Sequence, residues 1–271
     1  PAESLLFREM TPMSWVMLPF GLVFAGVGAA VMIFGACSGR AVRFRKSAEK
    51  EHPERPWRAD RRWAEGFEFG SRQGARAAGA WALAVLLGLF VGMFVYLVVI
   101  EHAPLFARVI VGVFALAPLA MLAGAVYSTL RWLKYGSPRL VMAEMPAVPG
   151  RELRCAVLCR RHVRAESPYK LTLKCSRTTG SGKHSTTRTL HESTAEVTSD
   201  LGDRYGGTAV PVELSVPEGL PSTSSEADGR IDWRLEVSAA TPGVDFKVGF
   251  DLPVFDVEDE NLIEKRPPGG G

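Results

Sequence analysis

Residues 231–238, Ile-Asp-Trp-Arg-Leu-Glu-Val-Ser, and residues 244–255, Val-Asp-Phe-Lys-Val-Gly-Phe-Asp-Leu-Pro-Val-Phe, decide how the second half of the chain is read. Apolar and polar residues alternate in both. A strand places successive side chains on opposite faces, so this period of two marks strands buried on one side. Ile231, Trp233, Leu235 and Val237 share one face; Phe246, Val248 and Phe250 share another. Pro242-Gly243 lies between them as a turn signal.

The same pattern extends upstream. "LRCAVLCR" (153–160), "YKLTLKC" (169–175) and "TAVPVELSV" (208–216) alternate too, the last placing Val210, Val212, Leu214 and Val216 on one side. Pro217–Gly219 and Asp228-Gly229 supply further turns. Seven or eight short strands without a helical stretch predict an antiparallel β-sandwich over 137–257, immunoglobulin-like in layout. The tail 258–271, ending in Pro-Pro-Gly-Gly-Gly, reads as a flexible linker.

The first half is of another kind. Met10–Gly39, Ala77–Ile100 and Val109–Leu130 contain no Asp, Glu, Lys or Arg. About 20 helical residues span a bilayer's hydrocarbon core, so three transmembrane helices are expected at about 12–37, 78–100 and 108–131 within a membrane domain 1–136. Phe34–Cys37 loosely resembles a lipoprotein cleavage site, but the run is too long and lacks a basic leader, so Cys37 reads as an ordinary helix-end residue.

Charge sets the expected orientation. Residues 1–137 hold 15 Lys and Arg against 9 Asp and Glu, and residues 138–271 hold 17 against 20. A nucleic-acid binder would be basic throughout. Eleven basic residues crowd the loop 40–76, whereas the connector Glu101–Arg108 has one and the N-terminal segment only Arg8. By the positive-inside rule the loop and the β half face the cytoplasm, with the N-terminus outside.

Within that loop Trp57, Trp63 and Phe67 intersperse with Arg58, Arg61 and Arg62. Aromatic rings beside a basic face suit the headgroup boundary, which predicts an interfacial helix on the cytoplasmic leaflet. Packing against the β domain is the other reading. Gly35/Gly39 and Gly88/Gly92 set glycines four apart, as at close helix contacts within the membrane unit or with other subunits. Pro118 predicts a kink in the third span. None of the spans has an ionisable residue, which argues against a pump or channel built from this chain alone.

Signs of chemistry are few. "CSRTTGSGKHSTT" (175–187) contains Gly-Ser-Gly-Lys, but a phosphate-binding loop requires Gly where Arg177 stands and Ser or Thr where His184 stands. Strand-like segments flank it, so Gly180–Gly182 reads as a hairpin tip, and no nucleotide is expected. Cys155 and Cys159 lie about 13 Å apart along a strand, too far for a disulfide. No Cys-x-x-Cys pair suggests zinc, and Asp200 and Asp203 fit no calcium loop. His184, His191 and Cys175 could approach one another on one hairpin. They carry the alternative reading of a metal- or thiol-dependent membrane enzyme. No cofactor is assigned.

Three stretches together carry a resemblance: "RPWRADRRWAEG" (55–66), "RWLKYGSPRLVMAEMPAVPGRELRCAV" (131–157) and "DWRLEVSAATPGVDFKVGFDLPVF" (232–255). Over roughly 52–256 the chain resembles the bacterial membrane-protein family catalogued as domain of unknown function thirty-five ninety-two. Arg61-Arg62-Trp63 departs from that family's acidic-Trp pair. The resemblance implies transmembrane helices joined to an arrestin-like β-sandwich and brings no catalytic residues. The expected function is a non-enzymatic interaction module of the bacterial inner membrane, an accessory or scaffolding subunit. Its expected partners are the bilayer and either membrane subunits or a cytoplasmic protein; homo-oligomers are allowed and nucleic acid is not. A small transporter component assembled through the Gly88/Gly92 face is a further alternative.

Overall fold

The computed structural model describes residues 54–267 apart from 65, 72, 101–103, 181–184, 199–206, 227–228 and 258, together with positions 21, 25, 26, 28 and 32. Nearly all of the expected first span, with Gly35, Gly39 and Cys37, lies outside the described residues, as does His184. Two long apolar helices are present, α2 (Gln73–Ile100) and α3 (Leu105–Tyr135), each long enough to cross a bilayer. α1 is a single turn, Arg61–Ala64, preceded by a 3-10 turn at Pro56–Ala59. Pro118 lies inside α3.

The chain divides into two units, one built from the helical pair and one from strands. In the helical unit most large apolar side chains face outward, including Leu89, Phe94, Val113 and Phe114. This is the inverse of a water-soluble helix pair and fits a lipid solvent. The buried exceptions on α2 are Ala77, Ala84 and Val91, seven residues apart, with Ala125 buried on α3. The Trp81 indole N–H donates to Thr129 Oγ1 at 2.8 Å, joining the helices. A Cβ added at Gly88 or Gly92 would meet no atom within 4 Å. Neither glycine is thus in tight contact with a neighbour among the described residues.

Among the described residues the β unit contains eleven strands: β1 (Glu68–Gly70), β2 (Arg139–Met142), β3 (Glu144–Met145), β4 (Glu152–Cys159), β5 (Tyr169–Thr179), β6 (Thr186–Val197), β7 (Thr208–Ser215), β8 (Ser224–Glu226), β9 (Gly229–Ala239), β10 (Phe246–Leu252) and β11 (Glu264–Lys265). They form one antiparallel sheet in the order β1-β2-β4-β7 and a second in the order β10-β9-β5-β6, with β8 beside β9 and a small β11-β3 ladder. The alternating residues do what the sequence implies. Leu171, Leu173, Val210, Val212, Trp233, Leu235, Phe246 and Leu252 from both sheets enter one buried cluster.

Two expectations are corrected. Residues 54–74, assigned to the membrane domain, belong to the β unit, because β1 pairs with β2 and the two tryptophans enter its core. The tail is structured through residue 267. Glu264 and Lys265 pair with Met145 and Glu144, Ile263 is buried, and the Arg266 amide donates to the Ala143 carbonyl at 2.9 Å.

Candidate interaction edge

An antiparallel sheet exposes unpaired amides and carbonyls at its outermost strands, and proteins normally blunt or cover such edges. On one side of this β unit the covering is thorough. Segment 54–74 supplies β1, a three-residue strand that extends the first sheet. It also reaches the outer strand of the second sheet. Gln73 Nε2 donates to the Lys247 carbonyl at 2.9 Å, and the Trp63 indole N–H donates to the Asp251 carbonyl at 3.4 Å. The Trp57 and Trp63 rings lie against Phe255, with centroids 5.9 and 6.2 Å away. Arg58 holds Glu264 through two bonds of 3.0 and 2.6 Å, and Arg55 adds a third at 3.2 Å.

This arrangement overturns the interfacial reading for the tryptophans. Trp57 is 1% and Trp63 5% exposed, both inside the protein core. Phe67 is half-buried against the same core, and Arg58 is engaged with Glu264. Arg61 and Arg62 lie on α1. Aromatic rings that would otherwise sit among headgroups have found a closer apolar partner in Phe255.

The other side of the unit is built differently. There the outer strands are β6 and β7, from the two sheets. β7 carries Pro211 opposite Ala156. Proline has no N–H to offer an added strand, so it blunts this edge. β6 is twelve residues long, lacks proline, and among the described residues pairs only with β5. Its register against β5 shifts at Leu190, between the pairs Cys175–His191 and Ser176–Thr189. From His191 to Val197 the ladder is regular.

Over that stretch β6 has two distinct faces. Outward stand Glu192, Thr194 and Glu196, opposite Lys174, Thr172 and Lys170. Following the pairings across the sheet gives two polar rows, Asp251–Arg234–Lys174–Glu192 and Lys247–Ser238–Lys170–Glu196. Lys174 and Glu192 are ion-paired at 3.1 Å, and Glu192 remains half-exposed. Each row ends at the open edge on a carboxylate. Inward stand His191, Ser193, Ala195 and Val197, opposite Cys175, Leu173, Leu171 and Tyr169. His191 Nε2 and Ser193 Oγ are withdrawn from solvent without a hydrogen-bond partner among the described residues. Such atoms cost about 1–3 kcal/mol each when left unmatched.

The residues behind the enzyme reading come partly together. Cys175 and His191 are direct cross-strand neighbours on the inner face. Cys175 is fully buried, and burial, with the nearby Asp232 carboxylate, pushes its thiol up to about 11. A nucleophilic cysteine needs its thiolate favoured, the reverse of this environment. Burial likewise pushes the Cys155 thiol up to about 12. Among the described residues no three His, Cys, Asp or Glu side chains converge as metal ligands would. Sequence reasoning did not single out Glu192, Glu196 or Pro211. The alternation in "LHESTAEV" was a signal that could have found the two glutamates.

No protein-family profile and no curated protein match the chain. Among solved structures it is similar to the crystal structure of Spo0M, a sporulation control protein from Bacillus subtilis, at 13% identity. That match covers 43% of this chain and 48% of the other, with a TM-score of 0.31. A second similarity, to the Pseudomonas fluorescens alkylpurine DNA glycosylase AlkC bound to DNA containing an abasic site analog, has 14% identity. It covers 62% of this chain and 46% of the other, with a TM-score of 0.15. The chain thus spans about half the length of each, and neither likeness bears on function.

Proposed function

We infer that the chain is a membrane-anchored, non-enzymatic interaction module, an accessory subunit of a larger complex in a bacterial cytoplasmic membrane. In this reading the two sheets act as a β-sandwich of arrestin-like character that holds a partner, and the helices keep it at the bilayer. The observation that carries the reading is the unequal treatment of the two sides. Segment 54–74 caps both sheets on one side, while β6 on the other is long, proline-free and, among the described residues, paired only with β5.

Connectivity supports the placement. The residues just before α2 and the last turn of α3 belong to the same folded unit, so an α2–α3 pair crossing the bilayer must leave and return on one face. The basic residues of the 40–76 loop favour the cytoplasmic side for that face. Exposed apolar side chains along both helices are suited to lipid. The raised thiols of Cys155 and Cys175 do not suit a cysteine nucleophile.

Gentle extraction from native membranes tests the function. Recovery with a stoichiometric partner is expected, and a consistently solitary chain overturns the reading. A reporter fused after Gly271 tests the placement, because activity in the periplasm would reverse the orientation.

A further inference from the structure

We propose that the His191–Val197 edge of β6 is a docking strand for an extended basic segment of a partner protein, added antiparallel with lysine or arginine at two positions four residues apart. This rests on the interaction-module reading and gives that module a partner chemistry.

Three observations select the occupant. The first is backbone availability. Of the two outer strands on the open side, β7 is blunted by Pro211 and β6 is not. An extended peptide laid along β6 would continue the second sheet by main-chain hydrogen bonds, which require no particular sequence.

The second is charge. On the outward face β6 presents Glu192 and Glu196 with Thr194 between them. Cross-strand neighbours interact across about 5 Å, and opposite charges there are favourable. An added antiparallel strand with basic residues facing both glutamates would extend the two polar rows by one position each. Arg188 lies beyond the register shift at Leu190 and stands on the opposite face, so it does not repel those residues.

The third is the pair of unmatched polar atoms. His191 Nε2 and Ser193 Oγ are on the inner face of the same stretch, both away from solvent. Both residues are only half-buried, so once a side-chain rotation turns these atoms toward the edge, short polar side chains facing them on the added strand would supply the missing bonds. Facing Ala195 and Val197, the strand would carry apolar residues. The preferred segment therefore reads apolar, basic, apolar, any, polar, basic, polar from its N-terminus.

The same geometry disfavours a second copy of the chain. Antiparallel pairing of two β6 strands about Thr194 would set Glu192 of one copy against Glu196 of the other, and like charges directly opposite are unfavourable.

The test uses the full chain in phosphatidylcholine nanodiscs, so that no anionic lipid attracts a basic probe. The probe is a fluorescein-labelled peptide with the core Val-Lys-Val-Thr-Ser-Lys-Thr between glycines, read by fluorescence anisotropy, with empty nanodiscs as control. Saturable binding is expected, weakened about tenfold in the double variant Glu192→Lys, Glu196→Lys. A matching peptide with glutamate in place of both lysines should show the reverse preference. N-methylation of alternate backbone amides should remove binding while leaving the charges in place. Unchanged buried-tryptophan fluorescence verifies that the variant is folded.

Absence of binding to the native chain, or equal binding by the charge-reversed one, overturns the assignment. So does a Thr194→Cys chain that cross-links to a second copy through this cysteine under copper–phenanthroline and oxygen, when excess peptide added beforehand blocks the cross-link, since the occupant is then a second copy. Extraction from native membranes separates the two levels of argument. A charge-reversed chain that keeps its partner removes only the edge assignment. A native chain without any partner removes the module itself.

Discussion

Lys134, in the last turn of α3, directs its ammonium at the Pro242 carbonyl 2.6 Å away in the turn between β9 and β10. The Val244 carbonyl at 2.9 Å and Thr241 Oγ1 at 3.1 Å complete its set. Next to it, Tyr135 is buried, its ring edge-on to Phe246 at 5.1 Å and its hydroxyl donating to the Val244 carbonyl. The end of a helix and a β-turn about a hundred residues later are thereby joined through one cation and one phenol.

Removing that cation should therefore cost more than a surface lysine does. Lys134→Met keeps the aliphatic stem but takes the ammonium from the Pro242 carbonyl, while the Val244 carbonyl and Thr241 Oγ1 keep their bonds with Tyr135 and each other. A loss of about 1.5–3 kcal/mol is expected, as for hydrogen bonds to charged groups. Denaturant titration in detergent, followed by tryptophan fluorescence, measures it. A change below about 0.5 kcal/mol would mean that the turn does not need the ammonium.

Trp63→Ala distinguishes core burial from headgroup contact. With 5% exposure and a ring against Phe255, Trp63 should cost about 3–5 kcal/mol on truncation, as large buried aromatics do. The same denaturant titration, repeated with and without anionic lipid, checks this. A loss that depends on lipid charge would restore the interfacial role.

Glu264→Ala should release the tail. Arg58 and Arg55 would lose their shared carboxylate, and β11 would lose its side-chain anchor. Because the pair is partly exposed, the expected cost is about 1–2 kcal/mol. Limited proteolysis reads it more directly: cleavage beyond residue 257 should become several-fold faster while 139–252 stays protected.

The thiols give a pH dependence of definite sign. Cys155 and Cys175 hold their protons up to about 12 and 11 in the folded chain, against an ordinary 9.0. The unfolded chain releases those protons first. Their contribution is therefore fully present below pH 9 and is lost as pH rises from about 9 through the folded values. Unfolding midpoints measured from pH 8 to 11 should fall, and the Cys155→Ser, Cys175→Ala double variant should flatten that slope. At pH 8 both thiols should resist iodoacetamide until denaturant is added.

The features carried by local periodicity were legible in the sequence. Trp233, Leu235 and Val237 in β9 and Phe246, Val248 and Phe250 in β10 alternate because one side of each strand is buried, and the structure keeps that register. Uncharged runs marked α2 and α3 for the same local reason. What failed was long-range. Trp57, Arg58 and Trp63 make the same pattern whether the apolar partner is lipid or Phe255 and the anion is a phosphate or Glu264. No local rule separates the two when the partners are about two hundred residues apart. β11 is two residues long, too short for any period, beside a Pro- and Gly-rich end that resembles a linker. At the candidate edge, the alternation in residues 190–197 carries the inner and outer faces of β6, a signal the sequence reading passed over. That β6 is outermost follows from sheet order, which strand-by-strand reading does not supply.

Arg58 and Glu264 stand 206 positions apart in the chain. On the ribosome, Trp57 and Trp63 therefore emerge long before the residues that bury them, and two hydrophobic helices pass into the membrane in the interval. Closure of the strand-built unit therefore waits on residues translated after both hydrophobic helices. A product truncated before residue 255 would leave both indoles without a seat, presenting quality-control proteases with a recognisable sign of incomplete synthesis.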